Sequence, residues 1–146
     1  MIHVVLVEPQ IPPNTGNIAR LCAAFKLPLH LVGKLGFSID DKQLKRAGLD
    51  YWPEVNLTVH DSLKELKGCG RMFYFTTKSK RPYTEIRYEK GDYLVFGSET
   101  TGLPVSLLEK NREYAVTIPM TGRVRSLNLS SAVAMAAGEA LRQVKG

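Results

Sequence analysis

The chain reads as an α/β protein, a parallel sheet flanked by helices on both faces, and three observations predict this. Short apolar segments alternate with amphipathic ones along the whole sequence. The strand candidates are almost continuously apolar, as strands covered on both faces are. No repeat and no linker-like tract interrupts the alternation, so residues 1–146 are expected to form a single domain.

The elements follow in order. His3 to Val7 is apolar and rich in β-branched residues, hence a buried first strand. Pro9, Pro12 and Pro13 predict an extended loop without helix. Asn14 is placed to cap a helix from Thr15 to Phe25, where Ile18, Leu21, Cys22 and Phe25 recur at helical spacing. Leu29 to Val32 is a second strand closed by Gly33, and Asp40 is positioned to cap a short basic helix ending before Gly48. Val55 to Val59 reads as a third strand, and Asp61 as the cap of a helix stopping near Gly68. Met72 to Thr76 and Tyr93 to Phe96 are the fourth and fifth strands. Pro104 to Lys110 is a short helix with proline at a tolerated early position. Tyr114 to Ile118 is a sixth strand, followed by a final helix from about Leu127 to Gln143.

Composition bounds the function. No segment approaches the roughly 18 to 20 consecutive apolar residues of a membrane span. Residues 1–7 lack a basic leader region and are read as a strand, not a signal peptide. Cys22 and Cys69 are too few and too far apart for a metal cluster or disulfide framework, which predicts reduced thiols and a cytosolic location. His3, His30 and His60 lack ligand spacing, so no metal site is expected. The formal net charge of +6 points to a polyanionic partner. Three basic groups carry it: Lys42, Lys45 and Arg46 on one helix, Lys78, Lys80 and Arg81 after a strand, and Arg123 and Arg125 in a turn. Together they frame a cleft; singly each is a solvated face.

Ligand sites of parallel sheets lie outside the carboxyl ends of the strands. Three loops follow strands and lead into helices there: Glu8 to Gly16, Gly97 to Gly102, and Met120 to Ser126. They are expected on one edge of the sheet. No glycine-rich dinucleotide or triphosphate motif is present, and no nucleophile elbow. What remains in or beside the loops is Arg20, Glu99, Ser126 and Asn128. Ser126 and Asn128 stand where the last helix starts, where unpaired N–H groups favour an anionic or nucleotide-like ligand. That helix carries small residues nearly all round, including Ala134, Ala136, Ala137, Gly138 and Ala140. Core packing and a helix-mediated homodimer explain this equally well.

Taken together, three segments resemble the motifs of a known superfamily. They are Asn14-Thr15-Gly16-Asn17-Ile18-Ala19-Arg20, then Phe96 through Pro104, then Ile118-Pro119-Met120 through Ser126-Leu127-Asn128-Leu129-Ser130. They look like the SPOUT superfamily of S-adenosylmethionine-dependent RNA methyltransferases, within the SpoU group of ribose 2′-O-methylases. Gly36-Phe37 through Asp40-Asp41-Lys42 to Ala47-Gly48-Leu49-Asp50-Tyr51 resembles most the enzymes of the tRNA wobble position, which methylate the ribose of nucleotide 34, a cytidine or modified uridine. The same chemistry on another RNA position, or a non-catalytic RNA-binding module, are the competing readings.

The resemblance implies a deep C-terminal trefoil knot, a homodimer through the final helix, and the anticodon loop of tRNA as partner. It implies S-adenosylmethionine as methyl donor, with no metal, held by backbone groups of Phe75, Gly97, Ile118 and Leu127. Ser126 would touch the donor or the target ribose. Arg20 would act on the 2′-hydroxyl, with Glu99, Ser126 and Asn128 orienting it or the ribose. An arginine stays protonated, so stabilising the emerging alkoxide or anchoring a phosphate fits its chemistry. The basic clusters, Arg123 and Arg125 included, would grip phosphates. The chain departs from the pattern at Thr101, where relatives often carry arginine, and at Gly138 and Leu141, where some carry aromatic residues.

Overall fold

The computed structural model describes residues 1–48 and 51–145. Leu49 and Asp50 of the Gly36–Tyr51 motif lie outside the described residues. The strands are β1 (His3–Val7), β2 (Leu29–Val32), β3 (Leu57–His60), β4 (Met72–Phe75), β5 (Tyr93–Phe96) and β6 (Ala115–Val116). The helices are α1 (Pro12–Phe25), α2 (Lys42–Gly48), α3 (Val105–Lys110) and α4 (Leu129–Lys145). All pairings are parallel, in the order β3-β2-β1-β5-β4-β6. The expected parallel α/β architecture is what the chain adopts.

Strand alternation sends successive side chains to opposite faces. Val4, Leu6, Leu29, Leu31, Leu94 and Phe96 join the core that includes Ile18, Ala19 and Cys22 of α1 and Val133, Ala136, Ala137 and Ala140 of α4. Val5, Val32, Tyr74, Tyr93 and Val95 meet Leu66 and Leu108 on the other face. α2 packs on α1, and its Leu44 is fully buried.

Several local expectations are corrected. Pro12 and Pro13 do not exclude helix; they occupy its first positions, where a fixed φ suits the helix and no N–H is needed. Asn14 is therefore inside α1, and the cap residue is Ile11, with no side-chain cap bond. Asp41, not Asp40, caps α2: its Oδ1 accepts from the N–H of Gln43 at 2.8 Å and Leu44 at 3.2 Å. The helix expected after Asp61 is a 3-10 turn, Leu63–Leu66, at whose start Glu65 Oε2 accepts from the N–H groups of Asp61 at 2.7 Å and Ser62 at 3.1 Å. β3 starts two residues late, because Trp52–Glu54 forms a 3-10 turn and Val55 closes it. β6 is two residues long: Arg112–Tyr114 coils into another such turn at its start, and Thr117 pairs only in an isolated bridge with Pro82. α4 begins at Leu129, two residues later than expected, and the side chain of Asn128 accepts from Ser130 N at 2.9 Å.

The three histidines form a hydrogen-bonded row. His3 Nδ1 and His30 Nε2 are 2.9 Å apart, and His30 Nδ1 and His60 Nε2 are 3.0 Å apart. Glu65 stands 3.5 Å from His60, and Tyr93 stacks on His3. Burial, with His3 and His60 adding to it, pushes His30 down to about 4.

Candidate functional site

The three loops singled out in the sequence follow β1, β5 and β6 and meet around one cavity, which the end of β4 also lines. The join is made by Glu99. Its carboxylate accepts from the backbone N–H groups of Gln10 and Ile11, both at 2.9 Å, and from Asn14 Nδ2 at 3.3 Å. The proline pair explains this geometry. The chain must enter α1 abruptly, which leaves the N–H groups just before the prolines pointing outward for an acceptor.

Asn14 carries the connection further. Its Oδ1 accepts from Asn128 Nδ2 at 3.1 Å, and Asn128 Oδ1 in turn accepts from Ser130 N and Oγ at the start of α4. Glu99, Asn14 and Asn128 thus form one line through all three loops. Asn14 is buried, so its amide is committed to this line and not to water.

The loop after β5 folds back on itself. Gly102 N donates to Ser98 O at 3.0 Å, with Gly102 at φ +69°. A Cβ on Gly97 would overlap the carbonyl carbon of Gly102 and the nitrogen of Leu103, so only glycine permits the return. Thr101, the departure from the family pattern, is held in this loop by Ser98 Oγ at 2.7 Å.

A cavity of about 420 Å³ opens between these loops. Phe75, Gly97, Ile118, Ser126 and Leu127, the residues expected to hold a cofactor, all line it. So do Glu99 and Asn128. Its size is that of a small-molecule site. Phe75, Ile118, Leu127 and Leu129 give it apolar walls, while Thr76, Thr77, Ser98 and Ser126 add polar groups. That mixture suits a flat heteroaromatic ring with a polar sugar attached. Asn14 and Met120 also line the cavity and were not assigned to it from sequence. Both lie in the loops and motifs singled out above, Asn14 opening the first motif and Met120 opening the third loop.

Arg20 is not brought into the cavity. It lies six residues beyond Asn14 in α1, roughly 9 Å along the axis and about 120° around it. It shares the exposed face of the helix with Asn17 and Ala24. Its guanidinium carbon sits 5.8 Å from the centroid of the Tyr51 ring. Among the described residues no hydrogen bond links Arg20 to Glu99, Ser126 or Asn128, the residues expected to orient it or the ribose. The reason is helical phase: Glu99 is engaged at the first turn of α1 and Arg20 projects elsewhere.

Of the basic residues, Lys78 reaches the cavity lining. Lys80, Arg81, Arg123 and Arg125 are exposed outside it, and Arg81 Nη1 donates to Glu113 O at 2.9 Å. Lys42, Lys45 and Arg46 are exposed on α2, with Lys45 3.4 Å from Asp40. Among the described residues no group of three or more His, Cys, Asp or Glu side chains could hold a metal ion, and no helix is long and apolar enough to cross a membrane.

A parallel sheet with a ligand-sized cavity at its carboxyl edge, framed by three motif-bearing loops, defines an α/β protein with a small-molecule site. The model of the SpoU rRNA Methylase family matches residues 1–138, and the chain belongs to that family. It is 54% identical over 147 residues to a putative tRNA (cytidine(34)-2′-O)-methyltransferase of Listeria monocytogenes serotype 4b (strain F2365), covering 97% of this chain and 87% of that one. It is 46% identical over 148 residues to the tRNA (cytidine(34)-2′-O)-methyltransferase of Escherichia coli (strain K12), covering 99% and 94%. A structure solved for the 2-OH methylation of C/U34 on tRNA superposes with a TM-score of 0.93 at 49% identity, covering 98% of this chain and 95% of that one. An AdoMet-bound rRNA methyltransferase from Sinorhizobium meliloti superposes at 0.86 with 25% identity, covering 97% of this chain and 56% of that one.

Proposed function

We propose that this chain is an S-adenosylmethionine-dependent tRNA methyltransferase, acting on the ribose 2′-hydroxyl of nucleotide 34, a cytidine or a modified uridine. The observation that carries the reading is the single cavity into which Phe75, Gly97, Ile118, Ser126 and Leu127 all converge. Near end-to-end similarity to enzymes named for this reaction supports the substrate. The tRNA anticodon loop is then the partner and the cytoplasm the place of action. The whole chain serves as one methyltransferase domain.

Phe75, Ile118 and Leu127 would hold the adenine of the donor, with main-chain groups at Gly97 and Leu127 fixing its edge and ribose. When bound, S-adenosylmethionine supplies an electrophilic methyl group on a positively charged sulfur. The protein's task is then the nucleophile, a weakly acidic alcohol. Holding that hydroxyl in line contributes on the order of 7–11 kcal/mol in favourable cases. Ser126 and Asn128, at the cavity wall, position the ribose; Glu99 holds the three loops in register. Arg20 stabilises the emerging alkoxide or anchors the adjoining phosphate as a permanent cation. Because Arg20 faces away from its own cavity, the reading gives that role to Arg20 of a second copy.

The homodimer forms through α4, whose exposed stripe Ser131, Ala134, Met135 and Gly138 offers close backbone approach. The C-terminal part forms a trefoil knot. α4 is tied to the segment after β4: Gln143 Nε2 donates to Ile86 O at 3.0 Å, and Gln143 Oε1 accepts from Tyr88 N at 2.8 Å. Lys42, Lys45, Arg46, Lys78, Lys80, Arg81, Arg123 and Arg125 bind RNA phosphates.

The test is an anticodon stem–loop RNA incubated with donor carrying a labelled methyl group, beside the same RNA with a 2′-deoxyribose at nucleotide 34. Label in the first and none in the second is expected. Equal label in both would place the methyl group elsewhere and overturn the reading.

A further inference from the structure

The residue that ends the Gly36–Tyr51 motif has no part in the cavity, yet among the described residues it is the one aromatic group seen against Arg20. Tyr51 is 47% exposed. Its backbone is nevertheless held: its carbonyl accepts from Glu54 N at 2.9 Å, closing the 3-10 turn Trp52–Glu54. The next residue, Trp52, packs against the main core and donates from Nε1 to Lys45 O at 3.2 Å, tying the turn to α2. The ring is therefore presented to solvent from an anchored base.

Its neighbours give the exposure a meaning. On one side lies the Arg20 guanidinium, 5.8 Å from the ring centroid. Preceding Tyr51 in the chain is α2, which the Trp52–Lys45 bond ties to the turn that Tyr51 opens, with Lys42, Lys45 and Arg46 exposed. A single exposed aromatic group needs no explanation by itself. An anchored ring next to a guanidinium plane and a row of cations has the composition of a single-stranded RNA surface. There, cations take the phosphates while aromatic and guanidinium faces take unstacked bases. A loop nucleotide is the ligand that meets both requirements at once.

We infer that Tyr51 is a stacking platform for a nucleobase flanking the target nucleotide, working with Arg20 and the basic face of α2. This rests on the tRNA reading above and adds to it the group that holds the loop bases open. Tyr51 is a positioning residue for RNA; it takes no part in donor binding.

The experiment uses two anticodon stem–loop RNAs, each with 2-aminopurine at one of the two nucleotides flanking nucleotide 34. With wild-type protein, one of them loses fluorescence on binding as the base stacks. Tyr51→Phe keeps the ring and is expected to keep that quenching. Tyr51→Ala and Tyr51→Leu, the second retaining apolar bulk, are expected to lose it and to raise the Kd at least about fivefold, the low end of what a lost base–aromatic stack costs. Quenching that persists in either folded variant, or that is absent for both RNAs with wild type, overturns the assignment. Methyl transfer by wild type is measured in parallel. Quenching without methylation would remove the nucleotide 34 reading and leave the platform; methylation with unaltered quenching in the variants would do the reverse.

Discussion

Asn128 Nδ2 donates to Asn14 Oδ1 across 3.1 Å, joining residues 114 apart in the chain. The same Asn14 donates to Glu99, and the same Asn128 caps α4. One pair of amides therefore sets the entry to α1, the loop after β5 and the start of the last helix against one another.

Breaking this pair has a graded consequence. Asn128→Ala removes a helix cap and strands the Asn14 carbonyl, which together cost about 1–3 kcal/mol. Asn14→Ala removes two side-chain bonds but no cap, and costs less. In a double-mutant cycle followed by urea unfolding, the two changes are expected to be non-additive by at least about 0.5 kcal/mol. Strict additivity would mean the bond contributes nothing in solution.

Gly97→Ala tests the folded-back loop. The methyl group collides with backbone, which cannot swing aside as a side chain would. The loop must open, and donor affinity measured by calorimetry is expected to fall at least about tenfold, equivalent to 1.4 kcal/mol. Unchanged donor affinity would show that the loop does not shape the cavity.

Arg20 separates chemistry from binding. Arg20→Ala is expected to lower turnover by at least about a hundredfold, the scale for losing one stabilising group at the reacting oxygen, while donor binding stays intact. Because Arg20 points away from its own cavity, mixing Arg20→Ala with donor-defective Gly97→Ala chains should restore part of the activity through mixed dimers. No recovery, with subunit exchange demonstrated, would mean that Arg20 serves its own chain.

The histidine row makes stability depend on acid. His30 is held down to about 4 when folded, against an ordinary value near 6.5. Between these values the unfolded chain binds the proton and the folded chain does not. Stability is therefore full above about 6.5 and declines as pH falls toward 4, by at most about 1.4 kcal/mol per pH unit for one proton. Urea midpoints from pH 7.5 to 4.5 should show this decline, and His30→Gln should flatten it. An equally steep decline in the variant would assign it to other groups.

What was legible in the sequence follows from the range over which each force acts. Alternating apolar segments exposed the strands, because burial is written into side-chain type. The shared edge of the three loops followed from parallel pairing alone. The order β3-β2-β1-β5-β4-β6 was not legible, since nothing local tells β5 to insert between β1 and β4. Reading Pro12 and Pro13 as loop residues hid the start of α1, and with it the place of Asn14. Arg20 was grouped with Glu99 because both belong to motifs, yet the phase of α1 separates them. That separation was computable from the 3.6-residue period once the helix start was known.

The most direct test of the central claim is mass spectrometry of nucleosides from tRNA treated with this protein and S-adenosylmethionine. The tRNA should come from cells that lack their own wobble methylase, so that other base modifications are in place. The account predicts new 2′-O-methylcytidine or a 2′-O-methylated modified uridine, mapped to nucleotide 34. Methylation confined to another position, or no product from protein that binds the donor, would contradict it.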